Sequence, residues 1–217
     1  MKQILIIGMG ELGQHLANQL DQLGSEVAVV DIDEKIIDEL RIKFPNSFIG
    51  DCRQVNFLKE LGIKQFDSIV VCVGGDFQAS LEITNNLSEL GAEHIIAKSS
   101  SETQSKLLSL VGAHQTIYPE KEEAEKLATI LNSGEKIKNY IRIGSNMGIY
   151  QIKPPKSWIG KKLKDLNVRT KYKVNIACIE TDLDEFDIPD AGTELDDNDL
   201  IYVIGKAKDV EKINKLK

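Results

Sequence analysis

The residues best placed to do chemistry lie near the amino terminus. Gly8-Met9-Gly10-Glu11-Leu12-Gly13 follows a mostly apolar run, Gln3 to Ile7, and a second apolar run, Val27 to Val30, ends on Asp31. A glycine turn at this spacing lays a pyrophosphate on a helix N-terminus, and a later carboxylate meets the ribose. Gly8 allows the tight turn, Gly10 lets a pyrophosphate approach the backbone, and Gly13 lets the helix pack on the sheet. The first-turn N–H groups and the positive end of the helix dipole favour phosphate. The plainer alternative is a glycine turn that only packs a helix on a sheet. Asp31 would accept from the ribose hydroxyls and repel a 2′-phosphate, which disfavours NADP. Ile32 continues this sheet edge, and Asp33 reads as a helix cap.

Further candidates lie at later strand ends. Gly50-Asp51-Cys52 follows the third strand. Asp51 could take a hydrogen bond from an adenine amino group, or cap the third helix with Gln54 in a capping box. Val73 and Gly74 end the fourth strand, where sites of this kind have a wall. Lys98 ends the fifth and either reaches a phosphate or is simply solvated.

The groups for catalysis are missing. A dehydrogenase needs a proton donor and a substrate anchor beside its nicotinamide. His15, His94 and His114 are the only histidines, and each reads as structural or surface. Tyr202 and Lys206 have the spacing of a short-chain dehydrogenase pair, but Tyr202 falls in a β-like run and reads as strand packing. No serine-nucleophile, zinc-ligand or Walker-type lysine motif is present. Nucleotide binding without chemistry points to a sensor, in which differential binding shifts a conformational equilibrium. A small NAD-dependent oxidoreductase is the alternative, and a free-standing sensor with another partner a third reading.

The elements that position these residues alternate. Strands are expected at Gln3 to Ile7, Glu26 to Asp31, Ser47 to Ile49, Ser68 to Val73, His94 to Lys98 and Gln115 to Tyr118. Helices are expected at Glu11 to Leu23, Glu34 to Phe44, after Asp51, at Phe77 to Leu90 and at Glu102 to Val111. This order makes a Rossmann-like, doubly wound parallel α/β sheet over residues 1–118. A charged helix, Glu120 to Asn132, follows, with Ala124, Leu127, Ala128 and Leu131 on one face and Gly134 as its stop; residues 119–137 form this connecting segment. Residues 138–217 read as a small α+β lobe. Its strands are expected at Tyr140 to Ile143, Ile149 to Ile152, Val174 to Ile179 and Asp199 to Ile204, and its helices at Lys161 to Leu166 and Val210 to Leu216.

The chain has 217 residues, 41% hydrophobic, with a net charge of -7. That acidity argues against non-specific nucleic-acid binding. No apolar run reaches the roughly 18 residues of a membrane span, and no signal peptide is expected ahead of the first strand. Cys52, Cys72 and Cys178, an odd number far apart, fit a reducing cytosol.

The glycine loop, Val29-Val30-Asp31, Gly50-Asp51 and Gln78-Ala79-Ser80 together resemble the regulatory domains of bacterial potassium uptake systems. These are the Trk/Ktr regulatory subunits, or RCK domains (regulators of potassium conductance). Tyr118-Pro119-Glu120, Leu166-Asn167-Val168-Arg169, Pro189, Leu195, Asp199, Leu200, Val203 and Gly205 are similar to the family's later part. The resemblance implies a cytoplasmic, non-enzymatic gating subunit, peripheral to the inner face of the cell membrane. It implies pairing through the crossover helix into an octameric ring docked on a membrane potassium channel or transporter. NAD(H), ADP, ATP or AMP in the cleft would change the ring's shape. It also implies Mg²⁺ or Ca²⁺ at Glu120, which reads equally as a first-turn glutamate favoured by the helix dipole. Finally, it implies cyclic di-AMP near Trp158, Ile159, Arg169 and Asn175; otherwise Trp158 and Ile159 are core and Arg169 is surface. Many Ktr-type chains carry arginine where this one has Glu11, and a carboxylate there disfavours a γ-phosphate.

Overall fold

The computed structural model describes residues 1–133, 136–181 and 185–216. They form two compact units, Met1–Glu120 and Lys121–Lys217. In the first, strands β1 (Gln3–Ile7), β2 (Glu26–Asp31), β3 (Ser47–Ile49), β4 (Ser68–Val71), β5 (Ile95–Lys98) and β6 (Gln115–Ile117) form one sheet. Its order is β3-β2-β1-β4-β5-β6, and every pair is parallel. The order reverses between β1 and β4, and such a switch point opens a crevice at the strand ends.

The helices divide between the faces as the period of two dictates. Leu5, Ile7, Ala28, Val30, Ile69 and Val71 face α3 (Val55–Glu60), α4 (Phe77–Glu89) and α5 (Glu102–Leu110), which contribute Leu58, Leu87 and Leu108. Ile6, Val27, Val29 and Val70 face α1 (Glu11–Gln22) and α2 (Glu34–Leu40), which contribute Ala17 and Ile37. Helix α1 stops at Gly24, whose φ of +80° turns the chain. The Gly24 N–H then reaches the Asp21 carbonyl at 2.9 Å, and the Ser25 N–H the Leu20 carbonyl at 3.0 Å, a Schellman closure.

Several expected bounds shift. Helix α2 ends at Leu40 rather than Phe44, because Phe44 is buried and the chain must turn to insert it. Strands β4 and β5 lose a residue or two at their ends. Asp51 does not cap α3: Gln54 occupies that position, and its side chain makes no capping bond.

The second unit carries most of α6 (Pro119–Asn132) and a five-stranded antiparallel sheet. Its strands are β7 (Ile137–Ile143), β8 (Met147–Ile152), β9 (Asn175–Glu180), β10 (Phe186–Asp187) and β11 (Leu200–Gly205), in the order β10-β9-β11-β8-β7. The expected helix stop Gly134 lies outside the described residues. Strand β7 starts three residues earlier than expected, since a bulge between Ile137 and Asn139 breaks its alternation. The expected helix at Lys161 to Leu166 shortens to α7 (Leu163–Leu166), and α8 (Val168–Tyr172) follows. Asn167 and Lys173, at φ of 51° and 58°, bracket α8. Helix α9 (Ala207–Asn214) begins three residues early. Trp158, Ile152, Ile201, Val203, Val210 and Ile213 build this unit's core. Ile201 is fully buried, so Ile201→Ala is expected to cost the unit about 2–5 kcal/mol. Denaturant unfolding followed by Trp158 fluorescence measures this, and a wild-type midpoint would contradict the packing described.

No described helix is long and apolar enough to cross a membrane.

Candidate nucleotide-binding site

The switch-point crevice is a cleft of about 360 Å³. Gly8, Gly10, Asp31, Ile32, Asp51, Cys52, Val73 and Gly74 all line it, so eight of the expected residues meet in one place. Arg53, Asp76, Ile36 and Ile83 line it too, unanticipated. Asp76 could have been found: it follows Gly74-Gly75 and caps α4, accepting from the Ala79 N–H at 3.0 Å. Nothing in the sequence singles out Arg53.

The three glycines have distinct geometries. Gly8 has a φ of +92°. A Cβ on Gly13 would lie 2.2 Å from the Gly8 carbonyl oxygen, so helix and turn touch backbone to backbone. A Cβ on Gly10 would meet nothing within 4 Å. Gly10 is the N-cap of α1 and offers no capping side chain, which leaves the first-turn N–H groups to an incoming anion.

Asp31 joins the strand end to the loop. Its Oδ2 accepts the Met9 N–H at 2.6 Å and its Oδ1 the Asp33 N–H at 2.9 Å. Each oxygen keeps a lone pair for a ribose hydroxyl. Asp33 caps α2, accepting from the Lys35 N–H at 2.9 Å. Five expected residues lie outside the lining: Gly13 and Lys98, behind the turn and the far wall, and Met9, Glu11 and Leu12. The Met9 side chain is fully buried, and Leu12 packs on the same core. Glu11 is exposed, its carboxylate 4.0 Å from His15 Nε2.

At the far wall the Lys98 ammonium would lie 3.3 Å from a Cβ on Gly74. Lys98 is not solvated: its Nζ pairs with Glu120 Oε1 at 2.6 Å. The Lys98 ammonium holds the Glu120 carboxyl below the usual carboxylate range. Mg²⁺ and Ca²⁺ take six or more oxygen ligands. Glu120 offers one carboxylate, already paired, so the chain by itself does not fit a cation there. Among the described residues no group of three His, Cys, Asp or Glu side chains could hold a metal ion.

Two of the three histidines serve the framework, and His15 is exposed on α1. His94 Nδ1 lies 3.1 Å from Ser68 Oγ, and His114 Nδ1 accepts the Ile95 N–H at 3.0 Å. Tyr202 lies in β11, and its hydroxyl donates to Glu180 at 2.7 Å.

Residues 4–119 match the TrkA-N domain, and residues 147–217 match the TrkA-C domain. The chain belongs to the Trk/Ktr family. It is 30% identical to Ktr system potassium uptake protein C of Bacillus subtilis (strain 168), over 99% of this chain and 96% of that protein. It is 31% identical to Ktr system potassium uptake protein A of the same organism, over 97% of this chain and 95% of that protein. Its backbone is similar to that of the GsuK RCK domain, with a TM-score of 0.69 at 18% identity, over 99% of this chain and 48% of that one. The GsuK channel bound to NAD matches with a TM-score of 0.56 at 21% identity, over 99% of this chain and 38% of that one. The chain thus spans about half or less of those two solved chains, and the likeness to them is one of fold.

Three carboxylates, Asp31, Asp51 and Asp76, and one guanidinium, Arg53, line the TrkA-N cleft. Cys52 and Cys72 complete it as neutral groups. Burial pushes the Cys52 thiol up to about 12, with Asp51 and Asp31 adding to the shift, and burial pushes Cys72 up to about 11. A folded-state pKa above the unfolded value means stability is fully present below about pH 9 and is lost as pH rises through the folded values. Between pH 9 and 11 the protein is expected to lose on the order of 4 kcal/mol to these two thiols together. Denaturant titrations of wild type and Cys52→Ala/Cys72→Ala over that range should diverge. Parallel curves would mean the thiols do not report burial.

The TrkA-C domain has a second cleft, also of about 360 Å³, lined by Leu163, Asn167, Arg169, Asn175, Ile176 and Pro189 among others. Arg169 Nε donates to Asn175 Oδ1 at 2.7 Å. Trp158 is absent from this lining: it is core, with its ring 5.5 Å from that of Tyr172. Half-buried Ile159 does not line it either.

Proposed function

We propose that this chain is a nucleotide-sensing regulatory subunit of a potassium uptake system. The carrying observation is a Rossmann cleft in which the glycine turn, Asp31 and the end of β4 meet at the switch point. The near full-length likeness to Ktr system potassium uptake proteins A and C supports the same reading. Asp31 takes the ribose, the Gly10 turn and first-turn N–H groups of α1 take the phosphates, and the base lies toward Ile32 and Cys52. Val73 and Gly74 form the wall beyond the phosphates, with Lys98 behind them.

The charge of the cleft bears on the ligand. Three carboxylates against one guanidinium, with Glu11 outside, disfavour each added phosphate charge. NAD(H), AMP and ADP therefore rank above ATP. The chain acts from the cytoplasmic side, on a membrane channel or transporter subunit that it does not itself contain. Leu127 and Leu131 of α6 are half or more exposed, which supports pairing of two copies through this helix, the step from which an octameric ring would be built. A Mg²⁺ or Ca²⁺ at Glu120 would need donors from ligand phosphates or a second copy. The Arg169 cleft supports cyclic di-AMP as a second ligand, with Arg169 facing a phosphate.

Calorimetric titration with AMP, ADP, ATP, NADH and NADP, beside potassium flux through vesicles carrying a Ktr membrane subunit, tests the whole reading. Micromolar binding without turnover, and flux that changes with the bound nucleotide, is the expected result. Hydride transfer from NADH, or flux indifferent to every ligand, would overturn it. A parallel titration with cyclic di-AMP is expected to show binding that Arg169→Ala removes.

A further inference from the structure

Arg53 is the one basic side chain among the residues that line the nucleotide cleft, and it is held at both ends. Its N–H donates to Asp51 Oδ1 at 3.0 Å, and its carbonyl accepts from Asn86 Nδ2 of α4 at 2.9 Å. Its Nε lies 3.0 Å from Asp51 Oδ1 and 3.1 Å from Oδ2, and its Nη2 donates to Oδ2 at 2.8 Å. A two-pronged pair of this kind fixes the plane of the guanidinium. The side chain nonetheless stays 43% exposed. A fixed, weakly hydrated cationic plane is well suited to stack on an aromatic ring. Ile32, 64% exposed, and Ile36 line the same cleft and offer apolar surface around such a ring.

Resting on the nucleotide reading above, we propose that Arg53 is the base-recognition plate of the site, on which the purine ring stacks. Asp51 is then a positioning residue. Each of its oxygens already accepts two contacts from Arg53, so it holds the guanidinium flat instead of receiving the adenine amino group. Stacking selects for ring area, so the site prefers a purine without reading its edge.

The test compares AMP with ribose 5-phosphate, which lacks the base, by calorimetry on the full chain. Arg53→Ala and Arg53→Met are expected to weaken AMP about tenfold and leave ribose 5-phosphate unchanged. Arg53→Lys should not restore AMP binding, because an ammonium has no plane. Asp51→Asn should weaken AMP by a smaller factor, again sparing ribose 5-phosphate. Thermal denaturation of the Arg53 variants should stay close to wild type, since that side chain is 43% exposed. Equal losses for both ligands, or unchanged AMP affinity in both Arg53→Ala and Arg53→Met, would overturn the proposal. If wild type binds AMP and loses it in Asp31→Ala while the Arg53 variants keep the wild-type ratio, stacking fails and the nucleotide reading stands. If wild type binds none of AMP, ADP, ATP and NADH, both fall together; if it binds another of these and not AMP, the nucleotide reading stands and base stacking on Arg53 as the anchor of AMP fails.

Discussion

Gly13→Val is expected to abolish nucleotide binding and to destabilise the first unit by at least about 2–3 kcal/mol. The Cβ would sit 2.2 Å from the Gly8 carbonyl oxygen. Backbone cannot swing aside as a side chain can, so α1 must move away from β1. That movement opens the core around Ile6 and Ala17, and it carries the first-turn N–H groups away from the position where they meet a phosphate. Gly10→Ala is the matched control. Its Cβ would meet nothing, and its φ of -69° suits any residue. This variant should keep wild-type stability and still lose about tenfold or more in affinity, because the methyl group fills the space of the ligand. Differential scanning calorimetry and ligand titration of both proteins separate the two roles. Wild-type stability in Gly13→Val would show that the close approach is not needed, and wild-type affinity in Gly10→Ala would place the phosphates elsewhere.

Asp31→Ala is expected to weaken every adenine nucleotide about 100-fold and to cost about 1–3 kcal/mol of stability. Three partners lose one acceptor: the ribose, the Met9 N–H and the Asp33 N–H. Charge-assisted hydrogen bonds to a carboxylate are the stronger kind, which is why the binding loss should be large. Asp31→Asn should lie between, since its amide turns a donor toward one of the two N–H groups. The neutral side chain also removes the repulsion of a 2′-phosphate, so the NADP to NADH affinity ratio should rise. Calorimetry on the three proteins measures both effects. An unchanged ratio would mean that the ribose edge does not face Asp31.

The first half of the fold was legible because its signals are local and repeated. Alternating Val and Ile runs, leucines at helical spacing, and glycines at helix ends each name an element without knowledge of its neighbours. The site was legible to the extent that it is made of backbone. Gly8, Gly10, Gly13 and Asp31 are conspicuous by type and position. What sequence reasoning missed depends on competition between groups. Asp51 reads as a helix cap until Arg53, two residues on, takes its carboxylate. Lys98 reads as solvated until Glu120 meets it across 22 positions. In the second half, α8 was hidden because Asn167 and Lys173 take the left-handed conformation that glycine usually marks. The start of β7 was hidden by a bulge. Trp158 shows the plainer of its two readings holding: an aromatic residue in a suggestive stretch belongs to the core.

The hydrogen bond from the Met9 N–H to Asp31 has a consequence for what the cleft can report. The bond ties loop to strand end through the chain's own groups, and a proposed adenosine socket held in this way would lose little ordering entropy on binding. A preformed socket gives affinity, yet it responds alike to every ligand that shares the adenosine moiety. Discrimination among AMP, ADP, ATP and NADH must then arise where these molecules differ, from the first phosphate outward. In the proposed pose that region lies toward Gly74, where the Lys98–Glu120 pair joins the end of β5 to the first turn of α6.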